Sequence, residues 1–258
     1  MYLTAPNLAA IPGLRHGFFT RNHGVGQGVN ASLNCGFSSG DDERLVLANR
    51  AIAMERLGLP AGALTTVKQV HATNVHRVTE PTPGPSTIEA DALATDRRGI
   101  ALGVLSADCA PVLLVDAVAG VIGAAHAGWR GALAGVVDRL VEVMVEMGAS
   151  TDHLRAAVGP CIAKPSYEVG PDMRGDFEQA DPEGLVYFEP FAGSDRYSFD
   201  LKRYVLFRLA RLGLEDSQAL EEDTFADGER FFSARRSRNR GEQKFGLLLS
   251  TIALSDSA

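Results

Sequence analysis

The sequence predicts an α+β fold: one domain, residues 1–258, with a mixed β-sheet core and flanking helices. Three observations carry this. Short apolar runs at 100–105, 111–115 and 120–125, rich in small or β-branched residues, read as buried strands. One segment, Gly131–Met147, repeats Leu133, Val136, Val137, Leu140, Val141 and Met144 at helical spacing. No repeat or break in composition marks a second domain in the 258 residues.

Taken in order, residues 13–20 read as a strand, followed by a glycine-rich loop, Arg21–Asn30. Asp41, Asp42 and Glu43 face the positive end of a helix whose apolar face is Leu45, Ala48, Ile52 and Leu57, and Gly58 with Pro60 stops it. Residues 64–70 and 74–79 read as strands with His71 between them, and Pro81–Ser86 as a surface loop. The strands at 99–105, 111–115 and 120–125 follow, then the helix from Gly131, ended by Gly148. A strand at 154–159, a Gly159-Pro160-Cys161 turn, a short strand at Tyr167–Val169 and a helix from Pro171 come next. Asp200 caps a further helix closed by Gly213, and 245–254 reads as the last buried strand.

Composition narrows the function. At 45% hydrophobic and 22% charged the chain can bury a sizeable core. A net charge of −7 argues against nucleic acid as partner, and Arg235–Arg240, the richest basic stretch, reads as a solvated loop or an anion clamp. Three cysteines, an odd number, point to a reducing compartment and not to a disulfide framework. No apolar stretch is long enough to span a bilayer, and Met1–Asn7 carries no signal-peptide pattern, so the expected location is the cytoplasm, as monomer or homodimer.

Reactive residues stand where strands end, a common position for catalytic groups. Cys109 follows one apolar run and His126 another, and His71 follows a short strand-like segment, Val67-Lys68-Gln69-Val70. A thiolate and two imidazoles suit Zn²⁺ or copper, and three protein ligands leave a fourth position open for water or substrate. The same residues also suit a metal-free site, with Cys109 as nucleophile and His126 or His71 as base. A third reading makes Cys109 a small buried hydrophobe. Asp108 beside it needs a partner or solvent. Arg130, at the start of the long helix after the only tryptophan, Trp129, is a candidate anion holder or an ion-pair partner. Arg21 offers a second anion-binding loop that matches no nucleotide fingerprint, and Asn34 reads as a turn residue.

Read together, the words Thr20-Arg21, Ser32-Leu33-Asn34, Gln69-Val70-His71, Asp91-Ala92-Leu93, Ala107-Asp108-Cys109-Ala110-Pro111, His126-Ala127-Gly128-Trp129-Arg130-Gly131, Gly159-Pro160-Cys161-Ile162, Tyr167-Glu168-Val169 and Phe231–Arg236 resemble the YfiH family, also called laccase-domain or polyphenol-oxidase-like. The resemblance runs from about Gly17 to Arg236. It implies an α+β fold similar to the catalytic domain of a Cys–His deamidating toxin. It implies a metal, usually zinc, on His71, Cys109 and His126. It implies phosphorolysis of purine nucleosides (adenosine, inosine, guanosine, methylthioadenosine) with adenosine deamination; the older label is copper-dependent phenol oxidation. The expected catalytic set is Cys109, His126, His71, Asp108 and Arg130. The expected substrate-binding set is Arg21, Asn34, Gln69, Arg130, Arg235 and Arg236. The chain departs from the family pattern at Asp223, where Cys is usual, at Arg240-Gly241-Glu242, and at Cys35; these changes bear on substrate preference and leave the triad intact.

Overall fold

The computed structural model of this chain describes residues 1–255. Two mixed sheets lie face to face. The first has five strands in the order β1 (Tyr2–Leu3), β2 (Leu14–Phe19), β14 (Leu248–Leu254), β6 (Ala101–Ser106) and β3 (Leu64–Thr65). The second has six: β13 (Asp216–Ala219), β9 (Leu154–Val158), β7 (Ala110–Asp116), β8 (Val121–Ala127), β5 (Ala92–Thr95) and β4 (Val75–Arg77). The pairs β3–β6, β13–β9 and β4–β5 are parallel and their other neighbours antiparallel. A small antiparallel sheet joins β10 (Glu168–Val169), β12 (Tyr197–Phe199) and β11 (Phe188–Pro190).

Burial on both faces explains why the strands read as unbroken apolar runs. In β7, Leu113 and Val115 pack into the core shared with the first sheet, while Val112 and Leu114 pack under the helices. In β14, Ile252 and Leu254 join the shared core, and Leu249 and Ala253 join the layer under α2 (Glu43–Arg56). Outside the six-stranded sheet lie α3 (Trp129–Ala134), α4 (Val136–Glu146), α5 (Pro171–Ala180) and α6 (Leu201–Arg211). The result is four layers, helix, sheet, sheet, helices.

Several expectations are corrected. The segments 64–70 and 74–79 form only the short β3 and β4, because the backbone between them turns out of the sheet to present His71. The long helix starts two residues early, at Trp129, and is broken at Gly135, whose φ of +94° ends α3 and starts α4. Arg235–Arg240 is not a loop: α7 (Ala234–Asn239) covers most of it, with the Ser233 side chain accepting from Arg236 N. On α2 the buried residues are Val46, Asn49, Arg50, Ala53 and Met54, a face turned from the predicted one, and two of its members are polar. Asp42 caps this helix by accepting from Arg44 N. The helix α1 (Pro6–Ala9) and the strands β1, β5 and β11 to β13 were not foreseen. Among the described residues no helix is long and apolar enough to cross a membrane.

Candidate active site

The chain crosses from the first sheet to the second between β6 and β7, and Cys109 sits in that crossing. Its predecessor Asp108 adopts φ +87°, which turns the next residue toward solvent. The Asp108 carboxylate holds this conformation: Oδ1 accepts from the Thr224 hydroxyl at 2.7 Å, and Oδ2 from the Ser233 hydroxyl at 2.9 Å and Arg235 N at 2.7 Å. Burial pushes the Asp108 carboxyl up in spite of these donors. Three donors thus tie the Asp108 carboxylate in place beside Cys109.

His126 lies in β8, opposite Pro111 of β7, so a strand register sets it beside Cys109. His71 adopts φ +62° in the turn before β4. The rings of His71 and His126 meet edge to face with centroids 4.9 Å apart, and Cys109 Sγ lies 3.9 Å from His71 Nε2. A methyl group on Gly128 would come about 3.0 Å from both Cys109 Sγ and His71 Cδ2, so a larger residue there would push on the two ligand side chains.

Asp91, just before β5, organises the group. Its Oδ1 lies 2.9 Å from His126 Nδ1, and its Oδ2 accepts from Val70 N at 3.0 Å and Ala72 N at 2.8 Å, on either side of His71. A carboxylate acceptor fixes the proton on Nδ1 and leaves Nε2 of His126 as donor atom for a metal. Burial pushes Asp91 up, but the His126 ring and the two amides outweigh it and hold the carboxyl below its usual range. Burial also pushes the Cys109 thiol up, and the two neighbouring rings, His126 first, bring it down to about 6. His126 is lowered by burial, and the Cys109 thiolate and Asp91 outweigh that, raising it to about 9.

One ligand atom from each of His71, Cys109 and His126 lies within 4.8 Å of the others. Tetrahedral zinc with bonds of about 2.0 to 2.3 Å sets its donors roughly 3.3 to 3.8 Å apart. A small inward shift of the exposed His71 ring meets that requirement, so the soft S and N donors fit a metal with one position open.

The triad opens into a cleft of about 920 Å³. Gln69, Arg130 and Arg235, three of the expected substrate-binding residues, line it. The Gln69 amide is committed to the backbone, donating to Leu105 O and accepting from Leu105 N, both at 2.7 Å. Arg130 lies over the Trp129 ring at 4.2 Å and has no carboxylate partner among the described residues. Its helix, α3, has six residues, so the anion-holding capacity there belongs to the guanidinium and not to a helix dipole. Arg235 donates to Glu168 O at 2.9 Å beside Tyr167, whose phenol is pushed up by burial and stays a donor.

Three expected substrate contacts lie elsewhere. Arg21 and Arg236 line a separate hollow of about 210 Å³. Arg21 donates from Nε to Ala31 O and from Nη1 to Gly228 O, and Arg236 from its two Nη atoms to Thr224 O, Phe225 O and Phe231 O. Asn34 is wholly buried; it donates to Ser39 and Asp41 and accepts from Gly36 N and Leu247 N, which makes it a brace for the loop it lies in. Asp223, at the position that departs from the family pattern, accepts from the Ser166 hydroxyl and from Phe225 N.

The family described as multi-copper polyphenol oxidoreductase laccase matches residues 15–255. This chain belongs to that family. Among its relatives, a Streptomyces griseus protein named purine nucleoside phosphorylase ORF3 is 41% identical over 235 residues, covering 90% of this chain and 94% of its own. A Deinococcus radiodurans protein named purine nucleoside phosphorylase is 44% identical over 201 residues, 75% of this chain and 76% of its own. Of solved structures, YlmD from Geobacillus stearothermophilus superposes with a TM-score of 0.89 at 28% identity, over 99% of this chain and 96% of that one. A Neisseria meningitidis protein of family DUF152 gives 0.87 at 33%, over 98% and 99%. The α+β fold and the YfiH resemblance read from the motifs both hold for this laccase-family chain.

Proposed function

We propose that this chain is a zinc-dependent purine nucleoside phosphorylase acting on adenosine, inosine, guanosine and methylthioadenosine, with adenosine deamination as a second activity. The carrying observation is the charge of the cleft. Six cations line it (Arg50, Lys68, Arg130, Arg235, Arg238 and Lys244) against one carboxylate, Asp108, in a chain of net charge −7. Among the described residues only Lys68 of the six has a carboxylate partner, Glu89 at 2.8 Å. Such a lining serves a phosphate co-substrate; a neutral phenol has no use for it. The names of the relatives support the same reaction.

In phosphorolysis a phosphate oxygen bonds to the ribose C1′ while the bond from C1′ to the purine nitrogen breaks. The bonding pair leaves with the purine, which takes up a proton. Arg130 and Arg235, at the triad end of the cleft, hold the phosphate and offset its charge as the ribose carbon becomes electron-poor. Asp91 keeps the proton on His126 Nδ1, so the ring neither flips nor changes tautomer. His71, Cys109 and His126 would hold the zinc, which when bound would supply Lewis-acid polarisation of a substrate oxygen or nitrogen. Multi-copper chemistry draws on more imidazoles than the two in this group. The three free thiols suit a cytoplasmic enzyme.

The test is phosphate-dependent release of purine from adenosine and inosine, wild type against Cys109→Ala, with zinc quantified in each preparation. The expected result is turnover that needs phosphate and is lost in the variant. No turnover of any purine nucleoside at full zinc occupancy overturns the reading. Arg130→Ala is expected to raise the phosphate KM.

The order Asp91, His126, Cys109 favours one other reading, a metal-free Cys–His amidase or deamidase in which Asp91 orients the base and Cys109 attacks. Activity that persists in strong chelator selects it.

A further inference from the structure

At the end of the cleft formed by Phe37–Gly40, α2 contributes Arg50, which counts above toward the charge of the lining but has no assigned contact there. Arg50 is 4% exposed. Its Nε donates to Cys35 O at 2.8 Å and its Nη1 to the Thr66 hydroxyl at 3.0 Å, and the guanidinium lies over the Phe37 ring at 4.3 Å. Its Nη2 is buried with no hydrogen-bond partner. No carboxylate among the described residues pairs with it. The nearby Cys35 thiol is pushed up to about 12 by burial, so it stays neutral and supplies no counter-charge. A buried guanidinium with an idle donor and no counter-ion is costly unless a bound anion completes it.

The sequence pattern points the same way. Arg50 occupies the inward face of α2 with Val46, Ala53 and Met54, where an apolar side chain would pack better. A second cation converges on this end. The Lys244 ammonium lies against Gly40, so close that a Cβ there would come within 2.7 Å of it. Arg50, Lys244 and the turn Phe37–Gly40 all line this one cleft. The Thr66 hydroxyl, which accepts from Arg50, keeps its own proton to donate. A tetrahedral oxyanion is the ligand that uses a planar fork, an ammonium and hydroxyl donors together.

We propose that the Arg50–Lys244 end of the cleft is a phosphoryl subsite, with Arg50 as the buried fork and Lys244 as the exposed clasp. That the group is phosphate rests on the phosphorylase reading; that an oxyanion binds there does not. The subsite takes either inorganic phosphate or the phosphate carried by a nucleoside 5′-monophosphate.

The experiment is calorimetric titration of the whole zinc-quantified protein with inorganic phosphate, inosine and inosine 5′-monophosphate, each alone. It compares wild type with Arg50→Met, which keeps the stem on Phe37, and with Lys244→Ala. Lys244 is exposed, so that variant keeps the test decisive where Arg50→Met fails to fold. For inorganic phosphate, the expected result is binding weakened roughly tenfold or more in Arg50→Met and severalfold in Lys244→Ala, with inosine unchanged. For a carried phosphate, the monophosphate binds wild type roughly tenfold tighter than inosine, and both variants erase that margin. Folded variants that bind both phosphates as wild type does overturn the subsite, even where phosphorolysis is intact. Arg50-dependent phosphate binding without any turnover upholds the subsite and overturns phosphorolysis alone.

Discussion

Asp91 joins three parts of the site with one carboxylate, because its oxygens take the His126 ring and the amides on both sides of His71. Replacing one oxygen by an amide nitrogen in Asp91→Asn keeps the shape and removes the charge. Outer partners of metal-bound histidines typically carry roughly 10- to 100-fold in metal affinity or activity. Asp91→Asn is therefore expected to lower zinc content and kcat together by that order while the thermal midpoint shifts little; unchanged zinc content in the folded variant would show that Asp91 does not steer the ligands. That Cys109, His71 and His126 come together was legible in the sequence because Cys109 and His126 each follow an apolar run and His71 a short strand-like segment. Asp91 was not, since an acid before a strand is an ordinary turn residue. Arg50 was hidden for a similar reason: one charged residue on a helix reads as solvated until the helix is seen to turn it inward. Arg21, Asn34 and Arg236 stand outside the cleft lining with protein hydrogen bonds of their own, and hydrogen-bonding capacity in a sequence does not say whether backbone or ligand uses it.

The docking of α1 on the first sheet depends on a histidine. His16 in β2 is buried and its Nε2 accepts from Ala5 N at 2.9 Å, the residue that opens α1. Burial lowers its pKa from 6.5 to about 4. The unfolded chain therefore binds a proton that the folded chain refuses between those two values. The stability from neutral His16 is fully present above pH 6.5 and is lost as pH falls toward 4, in total about 3 kcal/mol. Urea midpoints at pH 7, 5.5 and 4.5 for wild type and His16→Asn check this: the wild type is expected to weaken more steeply on acidification, and parallel curves would refute it. Neither α1 nor β1 was legible, because a helix of four residues and a strand of two carry too few positions for any period to register. The same holds for β11 to β13 at the far edge of the fold, where partial exposure mixes polar and apolar residues. The central strands and α4 were legible because burial on two faces, or along one stripe, forces a pattern on them. The break at Gly135 escaped because the apolar spacing runs straight through it.

At the scale of the whole molecule two fields compete for an anionic substrate. The net charge of −7 repels it, and the six cations of the cleft attract it. Spread over a globule whose radius of gyration is about 18 Å, seven charges in water repel a unit anion by roughly 2 kcal/mol before screening. One guanidinium at about 4 Å, near a protein surface, attracts it by roughly 4 kcal/mol. The local field therefore wins inside the cleft, and the distant one acts only on approach. Salt discriminates between them, since the screening length falls from about 30 Å at 0.01 M to about 8 Å at 0.15 M. If the lining cations govern binding, the phosphate KM rises with added sodium chloride while the inosine KM stays flat. If the global charge governs it, screening relieves repulsion and the phosphate KM falls. Steady-state kinetics at fixed pH across that salt range reads the sign directly, and a falling phosphate KM would remove the cationic cleft as the basis for phosphate selection.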